Sequence, residues 1–367
     1  MLDTEAWNGY LEQWRDFEKQ VSIAPIFFLQ RSAMGMKRLV VTGPKQASFE
    51  DVPIPSCPPD GLLVRANVTT VSTGSEIRVF RWLPVDEAGE WIYGGVPFPK
   101  GAMENGYSMV GEVIEKGSNV THFSTGDRVF VGATHKEYTV TSPAQAYKIP
   151  NSLSDEHAVF MNILNVGQIG LRNGNPTLGE NVAIVGLGVI GLSTVAFCNA
   201  MGLRTVGLDL APNRREVAKK MGAQLVMDPT LDRVHEDIIQ HFDGIGADLV
   251  IEAASNWRAV RTGLELVRQD GRIVVVARHV DVPDYNIYGH PYMNKRVTIR
   301  SSYGYGDEGD RWDLNRTLKL SLRMLAEGKL SIGAMITHEF EWSELPEVYS
   351  RLDKGDTDIL GAIIRWR

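Results

Sequence analysis

The stretch Asn181–Ala223 constrains the fold of this chain more than any other. A short apolar run, Val182 to Val185, meets Gly186, Gly188 and Gly191 in the spacing G-x-G-x-x-G and continues into an apolar helical pattern, after which a second apolar run ends at Asp209. Strand, glycine turn, helix, strand and acid, in that order, are what a dinucleotide-binding βαβ unit requires. Gly186 permits the tight turn, Gly188 lets backbone approach a pyrophosphate, and Gly191 lets the helix pack closely on the sheet. Leu187, Val189 and Ile190 supply the backbone between them, where free N–H groups at the helix N-terminus face the phosphates.

Asp209 lies eighteen positions beyond Gly191, where a carboxylate reaches the adenosine ribose hydroxyls and repels a 2′-phosphate. NAD is therefore expected rather than NADP. Arg214 has the spacing of an adenosine-side contact or of a solvated helix cap, and with Arg215 it is the residue that would serve a phosphate.

At 367 residues with 43% hydrophobic and 23% charged, the chain is long enough for two domains with cores of their own. A net charge of −7 without a basic run argues against nucleic acid as a partner. No apolar stretch reaches the length of a membrane span, so no membrane role is expected. Two cysteines, Cys57 and Cys198, cannot build a disulfide framework, and a reducing cytoplasm is the expected location.

Residues 1–35 read as an extension: Trp7, Tyr10, Leu11, Trp14, Phe17 and Val21 recur at helical spacing, so an amphipathic helix packed on its own subunit or across a dimer is expected. From Met36 the text changes to short β-like runs punctuated by Gly and Pro, the pattern of a compact barrel-like domain. Arg78–Lys100, rich in aromatic and turn residues, is a candidate substrate-facing loop. A helical stretch around Ser154–Leu171 leads into alternating strands and helices, with strands at Asp248–Glu252, Arg272–Ala277 and Arg296–Ser301 and a helix near Trp257–Val267. That alternation means a doubly wound parallel sheet. A glycine-rich loop at Tyr303–Asp310, a helix at Asn315–Glu327 and a closing strand at Ile359–Arg365 complete the chain.

The segments VSTGSE (71–76), ENGYSMVGEV (104–113), GDRVFV (126–131), the glycine turn, GADLVIEA (246–253) and MITHEF (335–340) together resemble the medium-chain dehydrogenase/reductase superfamily. The resemblance implies an α/β architecture: a GroES-like β-barrel catalytic domain over 36–162 and 303–367 bracketing a Rossmann domain, a doubly wound parallel sheet, over 163–302. Zinc-dependent members carry a C-x-S/T-D and a G-H-E motif whose Cys and His bind the metal. Here those motifs read Thr73-Gly74-Ser75-Glu76 and Gly106-Tyr107-Ser108, and neither soft ligand survives. A zinc-free enzyme is expected, resembling the branch that includes bacteriochlorophyllide dehydrogenase-like proteins and sugar or cyclitol oxidoreductases. A homodimer or homotetramer is implied by resemblance alone.

Without a metal, hydrogen bonds must polarise the substrate oxygen. Ser75 stands in the place of the family's proton-relay hydroxyl and Tyr107 in that of its histidine ligand. Tyr107 either donates to the substrate oxygen or fills the space of the metal. Glu76 either orients the pair, accepts the proton, or is a buried carboxylate paired with an arginine. Thr73 and Ser108 complete the candidate catalytic set, with the reading that their hydroxyls satisfy nearby backbone. On the cofactor side, Ala253, Ala254 and Ser255 end one strand at its carboxyl side, and Ala277 and Arg278 end the next and border the nicotinamide. The resemblance places Asn165 near the carboxamide. His122, His135, His279 and His338 show no metal-ligand spacing with one another and read as surface or packing residues. The expected activity is NAD-dependent interconversion of a secondary alcohol and its ketone in a small hydroxylated metabolite. The alternatives are a zinc-free enoyl or quinone reductase, which the acid at 209 disfavours, and a nucleotide-binding protein without catalysis.

Overall fold

The computed structural model describes residues 35–82, 102–279, 282–303 and 312–367. The expected N-terminal helix, most of the aromatic segment before Lys100 and most of the glycine-rich loop after Tyr303 lie outside the described residues.

Two sheets form the first part of the chain. Strands β1 (Gly35–Gly43), β2 (Gln46–Pro53) and β4 (Met103–Glu104) make a three-stranded antiparallel sheet in the order β2-β1-β4. Strand β3 (Leu62–Thr70) centres a second sheet with β5 (Met109–Lys116), β6 (Arg128–Val131), β7 (Tyr138–Thr141) and β8 (Ala146–Lys148). Two strands from the far end of the chain, β15 (Ile336–Glu341) and β16 (Gly361–Arg365), extend that sheet, with β16 antiparallel to β3. The chain's last segment thereby closes its first domain. Arg78 to Phe80, expected in a loop, instead end helix α1 (Thr73–Phe80), because Ile77, Val79 and Phe80 bury their side chains against the core.

The stretch read as one helix at 154–171 is two: α2 (Asp155–Ala158) and α3 (Met161–Asn173). The break is held open by side chains, since the Val159 carbonyl accepts from Ser108 Oγ at 2.5 Å and Asn162 Nδ2 donates to the Tyr107 carbonyl.

The glycine-turn unit proceeds as β9 (Asn181–Val185), α4 (Val189–Ala200), β10 (Arg204–Leu208), α5 (Pro212–Lys220), β11 (Leu225–Met227), α6 (Val234–His241), β12 (Ala247–Glu252), α7 (Trp257–Leu266), β13 (Val267–Val275), α8 (Tyr292–Lys295) and β14 (Thr298–Ser301). Its six strands are all parallel, in the order β11-β10-β9-β12-β13-β14. The chain runs to one side from β9 and then to the other from β12, so the switch point lies between these two strands, where such sheets bind ligands. Every residue of β9 is buried, as a strand covered on both faces requires. Helix α9 (Leu314–Ala326) packs on α3, with Gln168 Nε2 donating to Ser321 Oγ at 2.9 Å, and α10 (Leu345–Asp353) brings Tyr349 into the core of the first domain. No helix among the described residues is long and apolar enough to cross a membrane.

Candidate active site and cofactor cradle

The glycines of the turn differ in what surrounds them. A Cβ on Gly191 would lie 1.9 Å from the Gly186 carbonyl oxygen, and one on Gly186, which has φ of +98°, would lie 2.7 Å from the Ala254 nitrogen. Turn, helix and the end of β12 therefore touch backbone to backbone. A Cβ on Gly188 would meet nothing within 4 Å, so open space lies at the residue that caps α4, and the first turn of Val189 and Ile190 follows it. That is the shape a pyrophosphate needs at a helix N-terminus.

Asp209 binds back to the turn, accepting from Leu187 N–H at 2.8 Å and from Ala211 N–H at 2.9 Å, with Arg214 Nη1 3.6 Å away. Arg214 Nε is buried without a partner among the described residues. Arg215, by contrast, is spent on the carbonyls of Asp209 and Leu210 and on Asp228, which removes it as a phosphate ligand. Asn165 is fully buried on α3, and neither atom of its amide has a partner among the described residues. A buried amide costs free energy until something pairs with it, and a carboxamide is its natural complement. The residues thus fit a nicotinamide dinucleotide: glycine turn for the phosphates, Asp209 and Arg214 for the adenosine side, Asn165 for the carboxamide.

The structure changes the meaning of the neighbouring strand ends. Ala254 and Ser255 turn their N–H groups to Glu252 Oε1 at 2.7 and 2.9 Å, and Ser255 sits at φ of +59°. Ala253 continues the ladder through the Val185 carbonyl. Their backbone is therefore committed to the sheet end. The other oxygen of Glu252 meets His279 Nε2 at 2.8 Å; Ala277 and Arg278, expected to end the next strand, lie with His279 in the segment that follows it, since β13 stops at Val275. His279, which sequence reasoning set aside as surface or packing, is instead paired with a carboxylate that is fully buried.

In the first domain Thr73, Ser75 and Glu76 form the first turn of α1. Glu76 is 1% exposed and corrects two expectations. Its partner is no arginine: it accepts from Ser72 N–H at 2.7 Å, His135 Nε2–H at 2.8 Å and the Tyr349 hydroxyl at 2.6 Å. Sealed and saturated with donors, it is not available as a proton acceptor for substrate. Burial and the Glu76 charge push the Tyr349 phenol well above its ordinary range. His135 uses its second nitrogen on Thr69 Oγ1 at 2.7 Å, and its ring lies against Gly106, where a Cβ would come within 2.6 Å of it. Glu76 and His135 thus clamp together the two motif segments. Ser108 is likewise removed from the chemistry, because it is buried and donates to the Val159 carbonyl. Thr73, Ser75 and Tyr107 are half-buried.

The donors at the two motif positions do not fit zinc. They are an aliphatic hydroxyl, a phenol and a hydroxyl already donating to backbone, and the Glu76 carboxylate beside them is saturated. Among the described residues no cluster of three or more His, Cys, Asp or Glu could hold a metal ion.

Comparison with known proteins follows this anatomy. Residues 58–155 match the model of the alcohol dehydrogenase GroES-like domain, and residues 189–326 that of the zinc-binding dehydrogenase. D-Guloside 3-dehydrogenase of Shigella flexneri is 26% identical over 86% of this chain and 95% of its own length, and human sorbitol dehydrogenase is 26% identical over 86% and 92%. The crystal structure of 2R,3R-butanediol dehydrogenase from Bacillus subtilis superposes with a TM-score of 0.75 at 21% identity, covering 90% of this chain and 100% of that one. With both domain models matched in order on either side of the helix break, and relatives aligned along nearly their full lengths, the chain belongs to the medium-chain dehydrogenase/reductase superfamily.

Proposed function

We propose that this protein is an NAD-dependent oxidoreductase that interconverts a secondary alcohol and its ketone in a hydroxylated metabolite of sugar or polyol type, without zinc. What carries the reading is the pairing of a glycine turn shaped for a dinucleotide with motif positions that carry Thr73 and Tyr107 in place of soft metal ligands. Named relatives that act on guloside and sorbitol support the substrate class. Asp209 beside the turn and Arg215 committed elsewhere favour NAD over NADP. A homodimer or homotetramer in the cytoplasm suits this reading.

In this scheme NAD, when bound, takes up and returns the hydride. The chain's own residues supply position. Gly188 and the α4 N-terminus hold phosphate, Asn165 holds the carboxamide, and Ser75 and Tyr107 donate hydrogen bonds to the substrate oxygen as it gains alkoxide character. The Glu76–His135 clamp keeps those two donors in register. The test is NADH absorbance after mixing the protein with NAD and a panel of alcohols and polyols, repeated with enones and NADPH. Turnover confined to enones overturns the reading, and stoichiometric zinc in active protein overturns its zinc-free part. Tyr107→Phe is expected to lower turnover about 100-fold, as loss of one such donor does, with NADH binding unchanged; unaltered turnover makes Tyr107 a space-filler.

A further inference from the structure

Beside the helix break at Val159–Phe160 stands a polar side chain whose hydrogen-bonding capacity is only half used. Asn162 lies in the first turn of α3 and is 9% exposed. Its Nδ2 donates to the Tyr107 carbonyl. A carbonyl only accepts, so the amide is fixed with its nitrogen toward Tyr107 and its oxygen turned away. That oxygen has no hydrogen-bond partner among the described residues, and it keeps access to solvent.

Two neighbours place this amide. Gly132, exposed and just beyond β6, comes beside it: a Cβ there would lie 3.8 Å from Asn162 Nδ2 and 3.9 Å from the Tyr107 carbonyl oxygen. Being a glycine, it sets no side chain over the pair. Asn165, assigned above to the carboxamide, follows three positions later on α3 and so shares a face of the helix with Asn162. Asn162 is thereby set between Tyr107, which meets the substrate oxygen, and the residue that meets the reactive end of the cofactor. The chemistry then follows from what an amide oxygen can do. It accepts and has no proton to give, so it cannot polarise a ketone. Glu76 and Ser108 are spent inside the fold. On a substrate held through its reacting oxygen by Ser75 and Tyr107, the group that matches a free acceptor beside Tyr107 is a second hydroxyl, on the next carbon.

We propose that Asn162 selects vicinal diols: its Oδ1 accepts a hydrogen bond from the hydroxyl on the carbon adjacent to the one oxidised, while its Nδ2 holds the Tyr107 backbone. The proposal rests on the alcohol-dehydrogenase reading above and narrows its substrate class. A site built to hydrogen-bond a substrate hydroxyl rejects the analogue that lacks it, because closing over that analogue strips the amide oxygen of water and gives nothing back.

The test compares matched substrates of the full chain with NAD, read as kcat/KM: propylene glycol with isopropanol, vicinal cyclohexanediol with cyclohexanol, and the polyol turned over best with its deoxy analogues at the carbons flanking the oxidised one. For the wild type, the member carrying the neighbouring hydroxyl is expected to exceed its partner by at least about tenfold. In Asn162→Ala that ratio is expected to fall to about twofold, with NADH affinity within about twofold of the wild type. Loss of the Nδ2 bond to Tyr107 lowers both members of a pair alike and leaves their ratio where it was, so an unchanged ratio in the variant overturns the proposal. Should Asn162→Ala fail to unfold cooperatively or to bind NADH, Asn162→Gln, which moves the same amide by one methylene, replaces it under the same criterion. A wild type that oxidises the monohydroxy and deoxy compounds as well as their partners overturns this proposal and leaves the alcohol-dehydrogenase reading standing. A wild type inactive on every alcohol, yet binding NADH, overturns that reading and the role of Asn162 with it.

Discussion

Each domain of this protein buries one carboxylate against one histidine, and the two pairs end differently. In the barrel-like domain, Glu76 takes three donors and His135 spends its second nitrogen on Thr69, which itself accepts from Trp366 Nε1 at 3.0 Å. Every polar atom is answered. In the dinucleotide domain, Glu252 and His279 are as close, at 2.8 Å, yet Nδ1 of His279 has no partner among the described residues and the ring lines a cavity. The lesson is that a buried ion pair is read from its last unsatisfied atom. A closed network stiffens a fold, and an open one has a valence left for a ligand.

The contrast breaks most readily at Glu76. Glu76→Ala strips three buried donors of their acceptor and is expected to cost about 4 kcal/mol of stability, measured by urea unfolding of the whole chain. A loss below about 1 kcal/mol would mean that the closed network is not a structural clamp.

Next in size is the exchange of the two histidines. His279→Gln, whose amide can still donate to Glu252 in the open pair, should leave stability within about 1 kcal/mol, whereas His135→Gln, which breaks into the closed network, should cost about 2 kcal/mol. The reverse pattern would make the open pair the more structural of the two.

The smallest effect is that of Tyr349→Phe, about 1.5 kcal/mol for one hydrogen bond to a charged acceptor, and it sharpens the contrast through pH. The folded-state phenol is raised well above its ordinary 10.0 by burial and by Glu76. Below that value both folded and unfolded chains keep the proton and the stabilisation is present in full. As pH rises beyond about 10 the unfolded chain releases a proton that the folded chain retains, so stability falls. Urea midpoints taken between about pH 9 and 11 should therefore drop more for the wild type than for Tyr349→Phe. Equal slopes would show that Tyr349 does not face a charged Glu76.

Local pattern made much of this legible in advance. The order strand, glycine turn, helix and strand from Asn181 to Asp209 follows from periodicity and glycine spacing, and the strands expected at 248–252, 272–277 and 296–301 exist, although β13 begins five residues early at Val267 and the elements β11, α6 and α8 were not legible in the pattern. Thr73 and Tyr107 at positions where zinc enzymes carry Cys and His are a matter of residue identity alone. Less legible was the helix break at Val159–Phe160: the apolar run continues through it, and the Ser108 and Asn162 side chains that hold it open are visible only once the strands have folded. The arginine expected beside Glu76 was the wrong partner for the same reason.

By itself the sequence determined a parallel sheet with a glycine turn, a carboxylate after its second strand and motif positions without soft metal ligands, because each is written in contiguous residues whose spacing dictates backbone geometry. Only tertiary structure decided which histidine meets which carboxylate. His135 lies 59 positions from Glu76, and His279 lies 27 from Glu252. What joins the second pair is the parallel register of β12 and β13, which sets Glu252 beside Val275 and carries the chain past it to His279. A pairing made by register between strands has no spacing of its own in sequence, and the same holds for the cavity that leaves one ring nitrogen without a partner.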